Sequence, residues 1–473
     1  MPLDDAARTL LGRTPREHLQ NVLTQTDRLA VNEAGDLCIA GHTAEALLEK
    51  YGSPLYVVSE ETLRANFRRI DSVFREAWPG DVVVMFAIKA NNNPAIRAII
   101  HGEGGGGDCF GFGEMYATFE GGADPNLIAM NGGNKSIDEM RAAVERKIIV
   151  NIDAVDEIDL LKEICADLST DVRVCLRIKS APASLKTAPS DYMGVPDNAQ
   201  LFLMREKWGL SRQAAIEAVK AVLETPGLQL GGFNIHTPRF TQDPELFAEC
   251  TRDFAETIVA IRDETGYTPD LIDIGGGWPR ERDPESRGYA LNPHTIEAFA
   301  KHVAASMLNV FKEGDLPTPE LRLEPGRYII GNAVTLLGRI GVVKRDCGMI
   351  WVNTDFSTNN LVRIDTAKSA YHIMPASGMD RDYTQNVQIV GPTCIDSRMA
   401  DDWPTPDVAR DDPMAVLDAG MYSESTATQF NSVPRPATVL IGDGAVDIIR
   451  ERETVEDVYA KTRVPERLRK DGR

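Results

Sequence analysis

Val82-Val-Val-Met-Phe-Ala-Ile88 is an unbroken apolar run, and Lys89 follows it directly, ahead of the polar turn Asn91-Asn-Asn-Pro94. A run of this kind, bounded by turn residues, reads as a strand buried on both faces of a parallel sheet. A lysine at its end is costly to bury unless it is paired or used chemically; taken alone, it also reads as a side chain that snorkels outward. Three later strand-like runs end on residues with chemistry of their own: Asn234-Ile-His236, Asp273-Ile-Gly-Gly-Gly-Trp278 and Glu324-Pro-Gly-Arg327. The consecutive glycines Gly275, Gly276 and Gly277 let backbone N–H groups approach an anion closely, and Gly326-Arg327 forms a second such turn; each alone is equally a tight turn. A strand-end amine together with two phosphate-type loops describes a phosphate-bearing aldehyde held through an imine, which is pyridoxal phosphate.

The elements that must position these residues alternate regularly. Strand-like runs recur at Val82–Ala90, Gly107–Phe112, Asn126–Asn131, Lys147–Ile152, Val172–Ile178, Leu228–His236, Leu271–Gly275 and Glu320–Glu324. Helical patterns such as Pro94–His101, Ile137–Glu145, Pro244–Thr265 and His294–Phe311 lie between them. Eight strand–helix units predict an α/β fold, a (β/α)8 barrel of the TIM type, with its active site at the C-terminal ends of the strands. The loops after strands seven and eight, where barrels often bind phosphate, are the two glycine turns. Ala181 to about Arg205 interrupts the pattern as a long loop rich in Ser, Pro, Asp and Gly, a length usually tied to function or mobility. Beyond Arg327 short strand-like pieces (Ala333–Val343, Gly348–Asn353, Val387–Ile389, Pro413–Leu417, Ala437–Ile441) predict a second, antiparallel β domain. The expected division is 1–52 as a lead-in contributing to the β domain, 53–327 as the barrel and 328–473 as the β domain.

Composition narrows the class. The 473 residues are 43% hydrophobic and 26% charged, an ordinary soluble balance, and the net charge of −20 argues against nucleic acid. It suits solubility and a mild attraction for cationic small molecules, or simply a solvated acidic surface. Seven cysteines without CxxC or metal-type spacing predict free thiols, a reducing compartment and no metal site. The chain shows no signal-peptide pattern and no apolar stretch long enough for a membrane span, so a cytoplasmic location is expected.

From about residue 50 to 450 the chain resembles the barrel-type pyridoxal-phosphate decarboxylases, the group of diaminopimelate, ornithine and arginine decarboxylases. Phe86-Ala-Ile-Lys-Ala-Asn91 is similar to the family's Tyr-Ala-Val-Lys-Ala-Asn, which implies that Lys89 is the Schiff-base lysine. Asp108 and Glu114 keep the spacing of its cofactor-side acids, and Gly132-Gly-Asn-Lys-Ser136 and Lys207-Trp-Gly-Leu210 resemble two further segments. The resemblance implies that His236 stacks on the pyridine ring and Gly275–Gly277 form the phosphate loop. It further implies that Glu324 pairs with the ring nitrogen while Gly326 and Arg327 face the phosphate. Gly391-Pro-Thr-Cys394 resembles the segment of the catalytic cysteine, and Gly420-Met-Tyr422 with Phe430-Asn431 the segment whose tyrosine reaches phosphate. The roles fit the chemistry: a carboxylate beside the ring keeps it protonated to drain a carbanion, and Cys394 can return the proton. On their own, Glu324 also reads as a strand-end acid paired with Arg327, and Cys394 as a small buried hydrophobe.

The chain departs from the family at three places. His236-Thr-Pro-Arg239 replaces His-x-Gly-Ser, so Arg239 stands where a serine faces phosphate. Ile395 follows the cysteine where an acid binds the distal amine, leaving Asp396 as the nearest acid. The Arg-Pro-x-Leu-Tyr segment survives only as Arg363 in Arg363-Ile-Asp-Thr-Ala-Lys-Ser-Ala-Tyr371, out of register. Arg363, Asp396 and Tyr422 are therefore the expected substrate contacts. The expected activity is decarboxylation of an amino acid, diaminopimelate first. D-ornithine, D-lysine or a carrier-bound amino acid remain open as substrates, and a racemase or a non-catalytic homologue as other readings. The resemblance also implies a homodimer with shared active sites, each completed by the partner's cysteine segment.

Overall fold

The computed structural model describes residues 10, 12–186, 198–236, 241–285 and 289–469. Two compact units emerge. One comprises Thr24–Asp27 and Glu60–Ala333; the other takes in the described chain up to Leu23, Arg28–Ser59 and everything from Val334 onward.

The first unit is a closed barrel of eight strands: Val82–Ala87, Gly106–Phe110, Ile128–Asn131, Ile149–Ile152, Val172–Arg177, Leu228–Asn234, Leu271–Asp273 and Glu320–Leu323. Every neighbouring pair is parallel, and the eighth strand closes on the first through Leu321 beside Val82. The apolar runs become strands because both faces are covered, by the barrel interior on one side and the helices on the other. Local signals start the helices. Asn93 accepts from Ala95 N–H ahead of Pro94, Ser136 and Glu139 form a capping box, and Asp243 accepts from Glu245 N–H ahead of Pro244. Strands three and four end where their runs do, at Asn131 and Ile152, and the other six stop one to three residues short. The first stops at Ala87, and Ile88–Ala90 form a single 3-10 turn that carries Lys89 off the strand axis.

The expected interruption at 181–205 is not a bare loop. It opens with a 3-10 turn, Ala183–Lys186, and closes with the helix Ala199–Arg205. Leu185 and Leu203 of these two turns pack together with Ala181, Ala199 and Cys250.

The second unit is built around a sheet in the order Arg398–Thr405, Gln385–Val390, Met349–Thr354, Val334–Asp346, Leu55–Ser59, Ala437–Gly442 and Ala445–Arg450. Pro413–Val416 also pairs with Val334–Asp346, and Ile373–Pro375 with Pro413–Val416. The sheet is mixed rather than purely antiparallel: Met349–Thr354 runs parallel to Gln385–Val390, and Leu55–Ser59 parallel to Ala437–Gly442. The N-terminal segment contributes Leu19, Leu37, Leu47 and Leu48 to its core, beside Leu55, Leu337, Met374 and Val439.

The unit boundaries differ from those expected. Leu55–Ser59, assigned from sequence to a barrel beginning at 53, is a central strand of the second unit, so the barrel begins at Glu60 and runs on to Ala333. Thr24–Asp27 belong with the barrel because Asp27 is bonded there, to Arg282 at 2.9 Å and to Asn332 at 2.7 Å. Arg282 holds that buried carboxyl below the usual range against the opposing effect of burial.

Candidate active site

The C-terminal ends of barrel strands one, two, three and eight meet in one buried polar chain. Lys89 Nζ donates to Asp108 Oδ2 at 2.9 Å. Asn131 gives both amide hydrogens to carboxylates, one to Asp108 Oδ1 and one to Glu324 Oε1, each at 2.7 Å. Its Oδ1 accepts from Asn151 Nδ2 at 3.0 Å, which ties in the fourth strand. Glu324 Oε2 lies 3.2 Å from His236 Nδ1, and that same ring nitrogen lies 3.3 Å from Gly276 N. A bare Nδ1 accepts the Gly276 N–H, while a protonated one donates to Glu324, so the imidazole can satisfy one partner or the other. Lys89 keeps a third of its side chain exposed (34%), and its ammonium lies 5.1 Å from the centre of the Phe110 ring.

The glycine turn is shaped by close approach. Gly275 (φ 71°) could not carry a side chain, because a Cβ would lie 2.5 Å from the Ile235 carbonyl oxygen; at Gly276 it would lie 2.3 Å from that of Glu324. Gly277 also takes a left-handed φ of 89°. Trp278 anchors the turn from beneath, stacked on Phe247 and donating to the Gly275 carbonyl. Gly326 packs as closely: its Cβ would come within 2.9 Å of Ala90, in the turn that carries Lys89.

Burial and next the charge of Glu324 push the Asp273 carboxyl well above the ordinary carboxylate range, which favours its neutral form. It accepts from Gly275 N–H at 2.9 Å and thereby sets the start of the glycine turn. Glu114 is pushed up to about 7, by burial first and by Asp108 second.

The expected site residues fare differently. Lys89, Asp108, His236, Gly275, Gly276 and Glu324 are brought together as described. Arg239 lies outside the described residues. Glu114, expected at the cofactor, gives its carboxylate to Phe110 N–H at 2.6 Å, in the first turn of the helix Gly111–Glu120, where an acid complements the free N–H groups. Arg327 is buried with its guanidinium on Asp283 (3.1 Å) and Glu285 (2.6 Å), so Glu324 is not simply its partner acid. Cys394, Asp396, Arg363 and Tyr422 all belong to the second unit. There Cys394 is exposed, not a buried hydrophobe, and its backbone N–H is held by Asn431 Oδ1 at 3.1 Å. Arg363 lies over the Tyr422 ring at 5.1 Å, Tyr422 takes a left-handed φ of 55°, and Asp396 is exposed.

Asn131 and Asn151 are the residues the sequence reading missed. Their signal was available: Asn131 ends and Asn151 interrupts a short, fully buried strand, and a buried amide is costly unless bonded. Lys135, in the Gly132–Ser136 segment, is structural, its ammonium held by Gly132 O, Asn151 O and Glu157. Trp208 of the Lys207–Leu210 segment meets Phe110 edge-on, and both line a cavity of about 460 Å3 with Asn131, Gly133 and Glu139.

A partly exposed amine beside an acid, a ring at His236, a buried carboxylate at Glu324 and turns that a Cβ would fill fit a cofactor with an aldehyde, a ring nitrogen and a phosphate. The comparisons agree. Residues 60–331 match the pyridoxal-binding domain of the pyridoxal-dependent decarboxylases. The chain is 31% identical over 443 residues to the diaminopimelate decarboxylase of Methanothermobacter thermautotrophicus, covering 93% of this chain and 99% of that one. It is 30% identical over 438 residues to that of Archaeoglobus fulgidus, covering 92% and 98%. The crystal structure of diaminopimelate decarboxylase from M. jannaschii in complex with L-lysine superposes with a TM-score of 0.85 at 28% identity, over 94% of this chain and 100% of that one. The lysine/ornithine decarboxylase of Vibrio vulnificus shares the fold, with a TM-score of 0.68 at 20% identity over 84% and 97% of the two chains.

Fold and site together define a pyridoxal-phosphate enzyme of the barrel type. The chain belongs to the pyridoxal-dependent decarboxylase family and is an amino-acid decarboxylase similar to the diaminopimelate decarboxylases. Among the described residues no helix is long and apolar enough to cross a membrane.

Proposed function

We propose that this decarboxylase acts on diaminopimelate, an amino acid whose far end carries a second amine and carboxylate. The reading rests on similarity to diaminopimelate decarboxylases along nearly the whole chain. The single observation that carries the chemistry is the bonded chain Lys89–Asp108–Asn131–Glu324–His236 at the strand ends. When bound, the cofactor supplies an aldehyde to capture an amine and a ring to take up the electron pair left as CO2 departs. Lys89 is the amine that holds it, oriented by Asp108. Glu324, fixed by Asn131, would hold the proton of the cofactor's ring nitrogen. His236 would pack on the cofactor ring, and the two glycine turns would hold its phosphate. Cys394 returns a proton to the Cα from which CO2 has left, its loop braced by Asn431. Tyr422, Arg363 and Asp396 meet the substrate, and Tyr422 also the phosphate.

We further propose a two-fold dimer in which each barrel mouth is completed by the Cys394 segment of a second copy. The function is tested by CO2 release from meso-diaminopimelate, L-lysine, L-ornithine, D-ornithine and D-lysine. The expected result is a kcat/KM for meso-diaminopimelate at least about tenfold above the others, a discrimination of about 1.4 kcal/mol. Preference for D-ornithine or D-lysine would replace the substrate and leave the reaction class standing.

A further inference from the structure

The foot of the barrel, the end opposite Lys89, carries a cavity of about 700 Å3. Val83, Ile149, Arg173, Gln229, Glu320 and Arg322 line it, and each lies within the first three residues of its strand. Barrel interiors are ordinarily filled by layers of bulky branched side chains. Here the neighbouring apolar cluster of Met85, Ala129, Ile149, Cys175 and Leu271 contains two small members, and charged groups occupy the space beside it.

Arg322 is only 4% exposed. Its Nε donates to Glu320 at 2.5 Å, but among the described residues one terminal nitrogen reaches no closer than 3.4 Å to the Asn126 carbonyl, and the other meets the Met85 sulfur at 4.0 Å. A buried guanidinium with most of its five donors poorly met is costly, and an anion in the cavity would meet them. Arg173 lies across Gly231, where a Cβ would stand 2.6 Å from its Nε, and its nearest acid is Asp270 at 3.5 Å. The Lys147 ammonium has no bonded partner among the described residues. The two acids of the lining are already engaged, Glu320 by Arg322 and Asp171 by Gln229 at 3.2 Å. With Asp270 beside Arg173, three acids balance the three cations, and Lys147 is the cation left without a bonded acid among the described residues. The hydroxyls of Ser169 and Thr170 complete the lining.

We propose that this cavity is a second ligand site, which binds a small dianion through Lys147, Arg173 and Arg322. The required chemistry is two negative charges on oxygen, as in a phosphate ester or a dicarboxylate, matched to the guanidinium forks. Bound there, the ligand links the beginnings of strands four, five and eight and stabilises the barrel by mass action.

The test uses holoenzyme, whose cofactor already fills the phosphate position at the mouth. It is titrated by calorimetry with inorganic phosphate and, separately, with succinate, against chloride at equal ionic strength. Saturable binding of one anion per chain is expected, weakened at least tenfold in the Lys147→Gln/Arg173→Gln double variant, with turnover unchanged. Binding of phosphate alone assigns a phosphate ester, succinate alone a dicarboxylate, and both together the shared oxyanion chemistry. Arg322→Met should lose the binding as well; should that variant fail to fold, the surface pair decides alone. Equal binding of chloride, or unchanged affinity in the double variant, would overturn the proposal.

Discussion

The chemistry of single residues here depends on who shares a proton with whom. Glu324 and Asp108 are two carboxylates held by one amide, since Asn131 donates to both at 2.7 Å. Glu324→Gln keeps the shape and the Asn131 bond but removes the charge. It should retain cofactor while kcat falls on the order of a hundredfold, the usual scale for a positioned acid or base; an unchanged kcat would remove Glu324 from the mechanism. Asp273 offers the opposite case. Because burial and the charge of Glu324 favour its neutral form, Asp273→Asn is the substitution closest to the native group. Its melting temperature and kcat should stay near wild type, whereas a charged, working Asp273 would show a large loss of activity.

At the scale of elements, the strand-end turns do the positioning. The 3-10 turn Ile88–Ala90 carries Lys89 off the strand, and the helix Gly111–Glu120 is closed onto strand two by the Glu114 bond to Phe110 N–H. Burial and the neighbouring Asp108, working against that bond, give Glu114 a pH signature. The folded-state pKa of Glu114 is raised to about 7 from an ordinary 4.5, so its favourable contribution is complete below about 4.5 and disappears as pH rises through 7. Denaturant unfolding of the apoprotein should therefore show wild type losing stability relative to Glu114→Gln over that window. The difference should be on the order of 3 kcal/mol. Parallel curves for the two proteins would mean that Glu114 has no raised pKa in the fold.

At the scale of the whole molecule, the proposed site residues are divided between the barrel unit, with Lys89 and Glu324, and the second unit, with Cys394 and Tyr422. In the proposed dimer, Lys89→Ala and Cys394→Ala are each nearly inactive. When they are refolded together, half the molecules are mixed dimers with one site carrying both changes and the other none, so about a quarter of the sites should recover. Mixed dimers without activity would show that each chain builds its own site.

The eight barrel strands were legible because each is a local apolar run closed by turn residues, a pattern that burial on both faces imposes wherever the run sits. Lys89, His236 and Glu324 were legible for the same reason: a polar residue at the end of such a run must be bonded or used. What only the tertiary structure decided was pairing. Leu55–Ser59 has the same apolar character as a barrel strand, yet it lies between Val334–Asp346 and Ala437–Gly442, and nothing within five residues encodes partners so distant in the chain. Arg398–Thr405 escaped notice as a strand because two aspartates and Pro404 break its pattern. It tolerates them at the sheet edge, with Asp402 at a φ of 57° and a shifted register against Gln385–Val390. The commitments of Arg327 to Asp283 and Glu285, and of Asn131 to two acids from different strands, were likewise invisible. A sequence fixes which groups must find partners, but the choice among partners is made by distances that exist only once the barrel has closed.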